Sequence, residues 1–225
     1  MSAHIRLVMF DLDGTLVETG NEIAQAVNDT LHEFDLSPVS QHQVDGWIGS
    51  GTLELLVTAL AYATRTPAEV IRKKDDLAQI KQRFDLHYQR HCGTISRLYP
   101  QVREVLVELK SRGVKLAVVT NKDMHYTRIV LNAHQLHDMF DAVIGGDSMP
   151  ARKPDPAGIH HCLRLFDVAP DAALFVGDSS IDAAAAKNAG VKVWLLTYGY
   201  NMHRPVAISE PDRVIDTVWP LLQQI

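Results

Sequence analysis

Five short runs of apolar and β-branched residues set the limits on how this chain can fold: Ile5–Asp11, Val114–Thr120, Ala142–Gly145, Ala173–Gly177 and Val191–Thr197. Within each run the apolar residues follow one another with little alternation, so both faces of the strand must be buried. Helix-length amphipathic stretches separate the last four runs. Strands covered on both sides and joined through helices form a parallel sheet between helical layers, so the fold class is α/β and doubly wound.

One interval breaks this rhythm. Between the first run and the helix expected after Pro100 lie about ninety residues with helical periodicity and almost no strand signal, too long for a structureless loop. Helices are expected at Glu18–Phe34, Leu53–Ala63 and Pro67–Arg90, with breaks at Ser50-Gly51 and Thr66-Pro67. The interval is therefore expected to form a separate helical cap over residues 16–93, with residues 1–15 and 94–225 forming the core. With 46% of its 225 residues hydrophobic and 22% charged, the chain has enough apolar material for one sizeable core and an inserted unit.

The net charge is −5, and the basic residues are scattered rather than clustered. That excludes the electrostatic footprint of a nucleic-acid or anionic-membrane binder and favours a small diffusible partner. Ile5–Phe10, the longest early apolar stretch, is too short to span a membrane and lacks the features of a signal peptide, so a cytoplasmic location is expected. Cys92 and Cys162 form no CxxC and are expected to be buried free thiols. Among the eleven histidines, the adjacent His160 and His161 would point to different helix faces and suggest no metal site.

The first run ends in Phe10-Asp11-Leu12-Asp13-Gly14-Thr15, with two carboxylates at the carboxyl end of a buried strand, where open α/β sheets bind their ligands. A carboxylate there can attack phosphorus, and a second just beyond it can protonate the leaving oxygen and later activate water. Asp-Gly is also a common turn dipeptide, so this pair alone leaves a turn role open. Val176-Gly177-Asp178-Ser179-Ser180-Ile181-Asp182 puts Asp178 at another strand end. Asp182 follows four residues later, facing the same crevice if a helix opens at Ser179 or Ser180. Helix capping would be compatible with that use.

If these strand ends converge, Asp11, Asp13, Asp178 and Asp182 crowd four negative charges into a pocket that must also admit a phosphate dianion. Two unit charges about 4 Å apart repel by about 4 kcal/mol at an effective dielectric near 20, so a cation is required. Oxygen-only ligands with a phosphate partner point to Mg²⁺. Thr120-Asn121, at the end of the second run, could hold a phosphoryl oxygen, and Lys153 in a Pro-rich loop could neutralise developing charge. Taken singly, either also reads as an ordinary strand-end threonine or a solvated lysine.

Taken in order, Asp11-Leu12-Asp13-Gly14-Thr15, Val119-Thr120-Asn121, Lys153-Pro154 and Gly177-Asp178 with Asp182 resemble the four signature motifs of the haloacid dehalogenase superfamily. The resemblance spans nearly the whole chain. It implies a Rossmann-like core with a helical cap inserted after the first motif, and an aspartyl-phosphate mechanism. Carried over by position, Asp11 is nucleophile and Mg²⁺ ligand, and Asp13 is the acid/base, ligating through its backbone carbonyl. Thr120 and Lys153 hold the phosphoryl group, Asp178 ligates Mg²⁺, and Asp182 supports the metal. The fourth motif departs from the usual pattern in Ser180-Ile181-Asp182 but keeps the four-residue spacing.

Gly46–Gly51 and Thr197–Asn201 are similar to segments of bacterial phosphoglycolate phosphatases. That likeness implies a substrate such as 2-phosphoglycolate, with Gly49, Ser50 and Gly51 offering backbone N–H groups near the pocket or serving as a plain turn. Arg65, Arg90 and His91 are candidates to meet a substrate carboxylate. A sugar-phosphate phosphatase, a phosphomutase or a pyrophosphatase could use the same core. A dehalogenase is disfavoured by the acid at Asp13. A signalling receiver domain, the non-enzymatic alternative, is about half this length and lacks a helical insert. A monomer and a homodimer are equally open.

Overall fold

The computed structural model describes residues 4–225. In chain order the first strand, β1 (Leu7–Phe10), is followed by the short β2 (Val17–Glu18). Five helices come next: α1 (Gly20–Glu33), α2 (Gln41–Asp45), α3 (Thr52–Thr64), α4 (Ala68–Ile71) and α5 (Leu77–His91). After β3 (Arg97–Leu98) strands and helices alternate: α6 (Val102–Ser111), β4 (Lys115–Val119), α7 (Met124–Ala133), β5 (Ala142–Ile144), α8 (Ala157–Phe166), β6 (Ala173–Gly177), α9 (Ser180–Asn188) and β7 (Lys192–Leu196). The chain closes with β8 (Arg213–Ile215) and α10 (Leu221–Gln224).

The main sheet has six strands in the order β5-β4-β1-β6-β7-β8, and every pair in it is parallel. β1 lies inside, with Val8 opposite both Leu116 of β4 and Leu174 of β6. Its four residues are fully buried, but alternate ones serve different cores. Val8 and Phe10 pack with Leu116, Val118 and Val176 on one face. Leu7 and Met9 pack with Ala117, Phe175 and Val193 on the other. Unbroken apolar runs are thus explained by helices on both faces of the sheet.

All five expected strands form, and the sheet gains a sixth that sequence periodicity did not reveal. β8 is a three-residue edge strand, Arg213-Val214-Ile215, whose single fully inward residue, Ile215, gives no run to detect. A second small sheet was also missed. Val17 and Glu18 pair antiparallel with Leu98 and Arg97, and Tyr99 N donates to Leu16 O at 3.1 Å, so the two passages into and out of the helical segment are zipped together. Buried Glu22 of α1 reinforces this seam by accepting from Gly93 N at 2.9 Å and Ser96 N at 3.3 Å.

The single helix expected over Pro67–Arg90 is instead two, α4 and α5, joined through Arg72–Asp76. Lys73-Lys74-Asp75-Asp76 contributes nothing to an apolar stripe, and the buried face restarts at Ile80, Phe84 and Tyr88 with four-residue spacing. The small α2 is nucleated by a capping box between Ser40 and Gln43, a signal legible as Ser-x-x-Gln.

Cys92 and Cys162 are buried free thiols, and burial pushes both up to about 12. At pH 8 neither should form the thiolate that attacks a disulfide reagent. Native protein is expected to give no rapid reaction with Ellman's reagent and denatured protein two equivalents; prompt labelling of the native form would contradict this burial.

Candidate active site

The carboxyl ends of β1, β4 and β6 bring together the residues picked out from the sequence. Asp11 N continues the β1 ladder by donating to Val176 O at 3.0 Å, so the Asp11 side chain emerges where the pairing ends. Asp178 leaves β6 beside it. Asp182 is folded back onto the same strand end because Ser179 caps α9. Its Oδ2 accepts from Asp178 N at 3.2 Å, Ser179 N at 3.0 Å and Ser179 Oγ at 2.7 Å. Gly177 makes room for this fold-back, since a Cβ there would lie 2.5 Å from the Asp182 carboxylate.

One carboxylate oxygen each from Asp11, Asp178 and Asp182 can be chosen so that all lie within 4.8 Å of one another, and all three residues are buried. A single ammonium answers them. Lys153 Nζ stands 2.9 Å from Asp11 Oδ1 and 2.7 Å from Asp182 Oδ1. Among the described residues no cation pairs with Asp178, which accepts from Thr15 Oγ1 at 2.8 Å and Tyr200 N at 2.8 Å.

The electrostatic consequence is a site under strain from its own charge. Burial, against the pull of Lys153, pushes the Asp11 carboxyl up to about 6. Burial, and then the charges of Asp182 and Asp11, hold Asp178 well above the usual carboxylate range. Burial opposes the charge on Lys153, yet Asp11 and Asp182 keep its ammonium above its ordinary value. Asp11 Oδ1 is buried and accepts no well-directed hydrogen bond. Three buried carboxylates against one ammonium, with an under-coordinated oxygen among them, fit a hard divalent cation held by oxygens.

Asp13 does not join this cluster with its carboxylate. Its Oδ1 accepts from Thr19 Oγ1 at 2.7 Å, and both oxygens lie 2.9 Å from Lys122 Nζ. Its expected contact with the cation is therefore limited to the backbone carbonyl. Thr120 is buried, its Oγ1 accepting from Lys122 N at 3.3 Å. Asn121 spans two segments, its Nδ2 donating to Gly49 O at 2.9 Å and to Lys153 O at 3.0 Å.

A cavity opens beside Asp11. Asp13, Thr120, Asn121 and Lys122 form its polar side, and Ile23, Ile48, Leu55, Phe84 and Tyr88 its apolar wall. Gly49 and Gly51 are among its lining residues, whereas Ser50 is exposed and is not. Arg65 and Arg90 are also exposed, and His91 is engaged with Asp29 at 2.6 Å; none lines the cavity. The cationic residue that does is Lys122, which went unnoticed although it directly follows Thr120-Asn121. Also missed was a polar tie across the rim: Asp123 accepts from Thr52 Oγ1 and from Arg152, each at 2.6 Å.

A parallel sheet carrying a buried acid cluster, a lysine and a threonine beside its strand ends defines an α/β protein with a polar site at the carboxyl edge of its sheet. Residues 8–196 match the family described as haloacid dehalogenase-like hydrolase, and the chain belongs to that family. It is 40% identical over 222 residues to the phosphoglycolate phosphatase of Haemophilus influenzae (strain 86-028NP), covering 99% of each chain. It is 39% identical over 217 residues to phosphoglycolate phosphatase 1 of Pseudomonas aeruginosa, covering 96% of this chain and 78% of that one. A crystal structure described as a predicted phosphoglycolate phosphatase from Haemophilus somnus superposes with a TM-score of 0.89 at 38% identity, covering 97% of each chain.

A cation bound only by the folded site stabilises it by about 2.7 kcal/mol at a hundredfold excess over Kd. Millimolar Mg²⁺ is thus expected to raise the thermal midpoint of the wild type by several degrees and to leave Asp178→Asn unmoved. An equal rise in the variant would show that the cation binds elsewhere.

Proposed function

We propose that this hydrolase, an enzyme of phosphoric monoesters, is a Mg²⁺-dependent phosphatase that works through an aspartyl phosphate on Asp11. The observation that carries the reading is the meeting of Asp11, Lys153, Asp178 and Asp182 at one buried point where Asp11 remains open to a cavity. An Asp11 carboxylate oxygen attacks phosphorus, the P–O bond to the alcohol breaks, and Asp13, having first taken up a proton from water, passes it to the departing oxygen. Asp13 then takes a proton from water as that water attacks the phosphoenzyme, releasing phosphate and restoring Asp11. Thr120 and Lys153 hold the phosphoryl oxygens through both steps. Mg²⁺, when bound by Asp11, Asp178 and the Asp13 carbonyl, offsets the charge between nucleophile and phosphoryl group. Asp182 acts by fixing Lys153 and the β6–α9 turn, since both of its oxygens are already occupied.

In this reading residues 16–93 are a helical cap, and Ile23, Ile48, Leu55, Phe84 and Tyr88 are its contribution to the cavity. The apolar wall excludes water from the reacting atoms and favours a small organic body. The substrate that best suits these features is 2-phosphoglycolate, as the names of the full-length relatives suggest. No helix among the described residues is long and apolar enough to cross a membrane, and we assign the enzyme to the cytoplasm acting on a diffusible ester.

Asp11→Asn is expected to abolish Mg²⁺-dependent phosphate release while circular dichroism stays native; ordinary turnover by that variant would refute its role as nucleophile. In a panel of 2-phosphoglycolate, sugar phosphates, nucleotides and pyrophosphate, the first should be hydrolysed with the highest kcat/KM. A hundredfold preference for another member would remove it as substrate.

A further inference from the structure

The cavity contains a cation that the phosphoryl chemistry above does not use. Of the described residues lining it, Lys122 alone carries a positive charge. Its side chain is only 2% exposed, and its ammonium lies 5.0 Å from the ring centroid of Tyr88. An ammonium has three donors. Asp13 receives hydrogen bonds at 2.9 Å on both oxygens, and no other acceptor is engaged by Nζ among the described residues. One N–H therefore remains for a group entering the cavity.

We propose that Lys122 is a specificity-determining residue that binds a carboxylate carried by the alcohol half of the substrate, restricting the enzyme to phosphate esters of short hydroxy acids. The inference rests on the phosphatase reading and deepens it. Asp13, which would protonate the leaving oxygen, touches Lys122 directly, so the ammonium stands beside the atoms attached to that oxygen. A carboxylate one carbon away from the ester oxygen comes within its reach. Ile23, Ile48, Leu55 and Phe84 of the lining offer no hydrogen bond, so a polyol with hydroxyls against these side chains would bury them unpaired. A short acid keeps its one charged group on the lysine side and leaves only methylene against the wall. The bland competing role, neutralising Asp13 and nothing more, would affect every ester alike.

The two roles separate in a comparison of 2-phosphoglycolate with ethyl phosphate, which has the same ester linkage and no carboxylate. Phosphate release with Mg²⁺ is measured for wild type, Lys122→Met, Lys122→Gln and Lys122→Arg, with circular dichroism to verify folding. A hydrogen bond to a charged group contributes about 1.5–3 kcal/mol, roughly ten- to hundredfold in rate. Wild type should prefer 2-phosphoglycolate in kcat/KM by at least that factor. The preference should collapse in whichever neutral variant folds and survive in Lys122→Arg. A preference unchanged by a neutral substitution overturns the proposal and assigns Lys122 to Asp13 alone; so does a wild type that turns over both esters equally. A wild type that hydrolyses neither these esters nor any other phosphate monoester overturns the phosphatase reading itself.

Discussion

Like-charge crowding at the carboxyl end of the sheet is the constraint around which the rest of this molecule is arranged. Asp11 and Asp178 follow two strands that are adjacent in space and far apart in sequence, Asp182 lies in the first turn of α9, and parallel pairing of β1 with β6 brings the three carboxylates together. The protein meets the repulsion with Lys153, with the capped start of α9 and with donors from Thr15 and Tyr200. None of these removes the charge on Asp178. The shortage is what makes the site receptive to a cation, and it is maintained by burial: in open solvent the same carboxylates would be screened and would need no partner.

Local backbone choices around the cluster follow from that crowding. Gly14 adopts φ +84°, and a Cβ there would stand 2.5 Å from Asp178 Oδ2, so the first turn after β1 passes directly against the acid from β6. Gly199 brings the segment after β7 equally close to Asp178 from the other side. Three chain segments thus converge on one carboxylate, two of them only because a side chain is absent. The Thr197–Asn201 segment belongs to the site through this contact, with Tyr200 donating its backbone N–H to Asp178 and accepting from Gly20 N on its hydroxyl at 2.7 Å.

Much of this was legible in the sequence because it is written in local terms. Apolar runs without alternation announced β1, β4, β5, β6 and β7, and the acids at their ends announced the site. What escaped notice depends on partners distant in sequence. β8 is a strand only because Trp194 to Leu196 of β7 offer it an edge. β2 and β3 are two residues each and exist only through each other. The break between α4 and α5 needed a judgement about four charged residues that helical periodicity alone passes over. Lys122 looked like any polar residue after a strand, and its meaning appears only when Asp13, 109 positions away, is found against it. Conversely, Arg65, Arg90 and His91 lie in the helical segment, yet the two arginines are exposed and His91 is engaged by Asp29.

The four residues after β4 show how a single short segment joins these parts. Thr120 lines the cavity, Asn121 bridges Gly49 and Lys153, Lys122 holds Asp13, and Asp123 ties Thr52 to Arg152. Asn121 and Asp123 both join the Gly49–Thr52 segment to the Arg152-Lys153 loop, while Lys122 between them reaches Asp13 after β1. The ties from this segment to Gly49, Thr52, Arg152 and Lys153 are single polar contacts, each contributing on the order of 1 kcal/mol net. Parting them costs far less than disturbing the sheet beneath, where β1 is buried on both faces. The division of labour is physical: strands buried on two sides fix where Asp11 and Asp178 emerge, while a few exchangeable polar contacts join the helical segment to the strand ends.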